Sequence, residues 1–71
     1  MHDRKPDATP RELQVLRLCA CGFSNKEVAS QLGISIKTVE SHKTNGMQRL
    51  GINGRRSLLH YALEQGWLAD A

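Results

Sequence analysis

Apolar residues along the 71-residue chain fall into four clusters. Leu13, Val15, Leu16, Leu18, Cys19 and Ala20 form the first, and Val28, Ala29 and Leu32 the second. Val39, Gly46 and Leu50 share one helical face of the third with Lys43, and Leu58, Leu59, Ala62 and Leu63 make a core face in the fourth. The spacings are those of helices, about 3.6 residues per turn, and no run alternates as a half-buried strand does. The pattern predicts an all-α fold, a four-helix bundle. Its first helix is apolar on more than one side and therefore central.

Start and stop signals bracket each cluster. Thr9-Pro10-Arg11-Glu12 joins a capping residue, a proline at the first helical position and a Glu three residues after the cap. Ser24-Asn25-Lys26-Glu27 repeats the box, and Ser35 caps a third helix running from about 36 to 50. Gly22, Gly33, Gly51 and Gly66 are the stops, and the fourth helix begins near Asn53. Phe23 is expected to drop into the core, and Trp67 and Leu68 to turn back toward the body. Residues 1–8 are polar with one proline and read as a flexible arm or linker remnant, which leaves 9–69 as the domain.

The second and third helices lie only a short turn apart. A helix of about eight residues, a three- to four-residue turn with glycine and a longer helix make a helix-turn-helix. Ala29 keeps the crossing close. Gly33 can take the left-handed conformation that costs other residues about 1 kcal/mol or more. Val39 packs back onto the pair.

A chain of this length buries only about 60% of the surface it exposes when unfolded, too little for a deep substrate cleft. Two cysteines do not make a secreted disulfide framework, and no apolar run is long enough to cross a membrane, so the expected setting is the cytoplasm. The net charge of +3 is unevenly spread. Lys37, Lys43, Arg49, Arg55 and Arg56 lie within residues 35–56, where Glu40 is the one acid. A local excess of this kind favours a polyanionic partner.

At about 100° per residue, Lys37, Ser41, Thr44 and Gln48 fall opposite Val39, Gly46 and Leu50, with Asn45 at the edge of the stripe. Short donors and acceptors that can approach base edges, beside longer cations that can reach phosphates, suit a helix entering the DNA major groove. A plain solvated face would carry more paired Glu and Lys.

TPRELQVLRL, GFSNKEVASQLGIS and KTVESHKTNGMQRLGI together resemble the LuxR/FixJ-type (GerE-like) DNA-binding domain of bacterial transcription regulators, among them response regulators, over residues 9–68. The resemblance implies a third helix in the groove of double-stranded DNA. By position it places Lys37, Thr38, Ser41, His42 and Thr44 at or beside DNA, and Asn45 and Arg49 near phosphates. Lys26 and Lys43 join the phosphate-binding set and Gln48 the base-reading one. A homodimer contact on the fourth helix is implied too, for which Leu59, Tyr61 and Leu63 are the candidates, and a contact with RNA polymerase is allowed. Gly46 departs from the pattern, since many relatives carry a bulky aliphatic residue there. Either the first helix comes close at that point or Met47 fills the space.

No other constellation competes. Cys19 and Cys21 point about 200° apart on a helix and lack a second ligand pair, so Cys19 reads as core and Cys21 as a half-exposed thiol. His2, His42 and His60 have no ligand spacing, and nothing suggests a nucleophile, a metal or a cofactor. The expectation is a binding domain without enzymatic chemistry. The alternative is a helical protein-interaction module that kept the fold and lost DNA binding.

Overall fold

A computed structural model describes residues 8–68. The predicted arm, apart from Ala8, and Ala69 lie outside the described residues. Four helices follow in order: α1 (Pro10–Ala20), α2 (Asn25–Leu32), α3 (Ile36–Leu50) and α4 (Gly54–Glu64).

The caps form as their sequences require. The Thr9 hydroxyl accepts the Glu12 N–H at 3.1 Å, and the Glu12 carboxylate accepts the Thr9 N–H at 3.0 Å. Ser24 and Glu27 make the same reciprocal pair at 3.1 and 2.8 Å. The N–H groups of the capping residue and of the Glu three residues on are thereby satisfied at each start. Ser35 accepts the Thr38 N–H at 3.0 Å to open α3. Asn53 stands before α4 without a side-chain cap.

Gly33 closes α2 at φ 68°, ψ 35°, and the next residue, Ile34, returns its N–H to the Ala29 carbonyl at 3.1 Å. This left-handed residue lets α3 start with only three residues between it and the end of α2, completing the helix-turn-helix.

Val15, Leu16, Val28 and Val39 are fully buried, with Cys19, Ala20, Ala29, Leu58 and Ala62 around them. α1 packs against all three other helices, most extensively against α3. It is the central element that its many-sided apolar pattern predicts.

Two packing expectations are corrected. Phe23 does not enter the core; it is 40% exposed. Its N–H returns to the Leu18 carbonyl at 3.2 Å, which holds the backbone in the turn after Gly22 and leaves the ring at the surface. Leu63 leaves the core face of α4 and is 62% exposed, while Leu58 and Ala62, one helical turn apart, form the buried side of that helix. Leu59 is half-buried. Tyr61 lies edge-on to Trp67, with ring centroids 5.4 Å apart. The Trp67 N–H bonds the Ala62 carbonyl at 2.9 Å, so the chain does turn back after Gly66.

At Gly46 the first of the two sequence-level alternatives holds. A Cβ at that position would stand 3.0 Å from Leu16 Cδ1 and 3.2 Å from Glu12 Cβ. α1 therefore approaches α3 at the spot where a side chain would keep them apart.

Candidate nucleic-acid interface

α3 divides into two sides. Val39 and Gly46 are buried, Met47 and Leu50 are half-buried, and together they fix the helix to the body. Lys37, Ser41, Thr44, Asn45 and Gln48 are exposed. Four of these five, with Glu40, line a shallow depression along the outer face. Among the described residues, no neighbouring helix lines it. The side chains with short polar tips are thus presented on a rigid element whose opposite side is locked into the core.

The remaining predicted residues sit in different surroundings. Thr38 is half-buried, and its hydroxyl lies 2.8 Å from that of Ser35, so it is engaged in the start of α3. Lys26 is exposed in the first turn of α2. His42 is half-buried. Lys43, also half-buried, faces a separate cleft between the starts of α2 and α4. Arg49 places Nε 3.6 Å from Glu12 Oε1 while nearly half of its side chain stays exposed. Leu59, Tyr61 and Leu63 line a different, open cleft along α4, together with Ile52, Arg56 and His60. The structure therefore brings Lys37, Ser41, Thr44 and Asn45 together in one depression, leaves Gln48 exposed one turn beyond Thr44, and places Thr38, His42, Lys43, Arg49 and Lys26 outside it.

Burial pushes the Cys19 thiol above its ordinary range, and the positive charges of Lys43 and Arg55 pull it part of the way back. Both cations therefore act on the same corner of the domain. Arg55, exposed at the start of α4, lines the same cleft as Lys43 and was not among the candidates read from the sequence. Its signal was present in the basic run of residues 35–56, but its partner Lys43 is reached only through the docking of α4.

A helix-turn-helix with an open polar face on its second helix can now be set beside known proteins. Residues 8–62 match the family described as bacterial regulatory proteins, luxR family. The chain belongs to that family. It is 49% identical over 55 residues to the oxygen regulatory protein NreC of Staphylococcus aureus, a match covering 78% of this chain and 25% of that protein. A solved structure of the RcsB response regulator of Salmonella typhimurium, from work on conformational dynamism for DNA interaction, superposes with a TM-score of 0.75. There the identity is 43%, and the match covers 79% of this chain and 28% of the other. A second structure of the same regulator gives 42% identity, a TM-score of 0.75 and coverage of 80% and 28%. The luxR-family chain described here thus spans about a quarter of the length of these relatives. The family's helix-turn-helix places it among DNA-binding domains of bacterial transcription regulation.

Proposed function

We propose that this domain binds double-stranded DNA sequence-specifically, as the effector part of a bacterial transcription regulator in the cytoplasm. α3 enters the major groove, with Ser41 and Thr44 reading base edges and Lys37 and Gln48 assisting. Lys26, Lys43, Asn45 and the exposed part of Arg49 face phosphates. Two copies occupy paired half-sites about one helical turn apart. The second copy is held through the α4 cleft, where Leu63 is exposed and Tyr61 half-buried.

One observation carries this reading. α3 keeps an uncovered row of short polar side chains directly opposite the residues that lock it into the core. A groove about 12 Å wide accepts such a helix, and each well-formed base contact discriminates by about 1–3 kcal/mol.

Selection of bound duplexes from a random pool is the test. It should return a preferred half-site, repeated with two-fold symmetry, and the same selection with Thr44→Val should return an altered one. An unaltered preference in the variant removes Thr44 from base reading. No enrichment by the native chain removes specific DNA binding. Binding to a protein partner through Tyr61, Leu63 and Trp67, indifferent to Lys37 and Lys43, would instead support the interaction-module reading.

A further inference from the structure

A cleft of about 480 Å³ opens beside α3, away from the row that carries Ser41 and Thr44. All four helices line it: α1 with Cys19, the start of α2 with Ser24 and Asn25, the middle of α3 with Lys43, and the start of α4 with Gly54 and Arg55. Among the described residues, neither Lys43 nor Arg55 has a carboxylate in ion-pair contact; the ion pairs found there are Arg49–Glu12 and His60–Glu64. Two cations from different helices thus share one concavity with no internal counter-charge.

The other groups around the cleft agree with the cations. Asn25 turns its Oδ1 toward the Cys19 thiol at 4.0 Å, which leaves its two Nδ2 hydrogens for an acceptor outside. The first turn of α4, which carries no acid and has no side-chain cap, adds the positive end of its dipole. Every one of these contributions favours a small, strongly accepting anion.

We infer that this cleft is a docking site for a backbone phosphodiester of the bound duplex, gripped by Lys43 from α3 and Arg55 from α4. The inference rests on α3 being the groove-entering helix. A helix with its side chains is about 10–12 Å across, nearly the width of the major groove, so its flanks come up against the phosphate rows on either side. Lys43 leaves α3 one turn after Val39, near the core face, and its long side chain lines the cleft beside the helix. Arg55 supplies a planar fork suited to two phosphate oxygens, and Lys43 a compact point charge. α4 would then touch DNA at its first turn, in addition to any contact with a second copy further along. Because the site reads no base, it adds affinity and fixes orientation without changing the preferred sequence.

The experiment is a fluorescence-anisotropy titration of a labelled duplex across a range of salt, with the native chain, Arg55→Gln and Arg55→Lys. Arg55 is exposed and its replacement opens no core, so the variants keep the native fold and give the native circular dichroism spectrum. Arg55→Gln should weaken binding to every duplex by about tenfold at a fixed low salt. It should also flatten the slope of log affinity against log salt by about 0.9, and Arg55→Lys should restore most of that slope. Lys43→Gln, changed on a different helix, should flatten the slope in the same way. A native chain with a salt-dependent slope beside an Arg55→Gln variant of equal slope and affinity overturns the cleft assignment and leaves groove binding standing. A native chain with no salt dependence overturns the groove reading itself.

Discussion

Nε of Arg49 lies 3.6 Å from Oε1 of Glu12, the same oxygen that accepts the Thr9 N–H at 3.0 Å. One carboxylate, on a side chain only 6% exposed, thus ties the first turn of α1 to the last turn of α3. Beside it, Gly46 brings the two backbones close. The seam sets how far α3 projects from the body, so the presentation of Ser41 and Thr44 depends on Glu12 and Gly46, which are buried within it.

Glu12→Ala removes half of a capping box and the partner of Arg49 together. The expected loss is about 1–2 kcal/mol in urea denaturation. Arg49→Ala removes only the partly solvated pair and should cost under about 1 kcal/mol. The reverse ranking would show that the tie between helices, rather than the cap, is what Glu12 mainly provides.

Gly46→Ala sets a gain against a clash. Alanine is favoured over glycine in a helix by about 1 kcal/mol, while a methyl forced into a filled seam costs about 1–3 kcal/mol. Leu16 is fully buried and the Glu12 contact is to Cβ, so neither neighbour can swing away freely. The balance is a net loss of about 1 kcal/mol, and Gly46→Ile should lose at least about 3 kcal/mol. A Gly46→Ala variant with a higher melting temperature would contradict the close approach.

The two thiols should separate cleanly. Cys21 is exposed and should be labelled by a thiol reagent in the native state, whereas buried Cys19 should react only on opening. The folded state also holds the Cys19 proton more tightly than the unfolded chain does. Its contribution to stability is therefore present below the unfolded value of about 8.5 and is lost as pH rises through the raised folded value. Lys43→Gln and Arg55→Gln should each push the thiol further up. Mass spectrometry after timed labelling checks the first point, and urea midpoints between neutral and alkaline pH check the second.

Replacing exposed Leu63 by Glu should leave the stability of the single chain nearly unchanged and weaken assembly of two copies on DNA. Sedimentation with and without a two-site duplex measures it. Unchanged cooperative binding would place the contact between copies elsewhere.

Much of this domain was legible in its sequence because the governing interactions are local. Thr9 and Ser24 each find their Glu three residues on, and Gly33 and Gly51 stop helices through their own backbone freedom. The outward row on α3 follows from helical period alone. What failed depended on neighbours distant in the chain. Phe23 and Leu63 are apolar enough for a core, but the places they would take are filled by residues of other helices or other turns. Glu12 looked like a cap and nothing more, since its approach to Arg49 needs α1 and α3 already packed. The cleft shared by Lys43 and Arg55 likewise exists only once α4 has folded back.

The central claim is that the outer face of α3 meets duplex DNA. Amide chemical-shift mapping of the isotope-labelled chain, on addition of a selected duplex, tests it most directly. Perturbations concentrated on Lys37, Ser41, Thr44, Asn45 and Gln48, and smaller at the far end of α4, are the predicted result. An α3 that stays silent while Tyr61, Leu63 and Trp67 shift would contradict it.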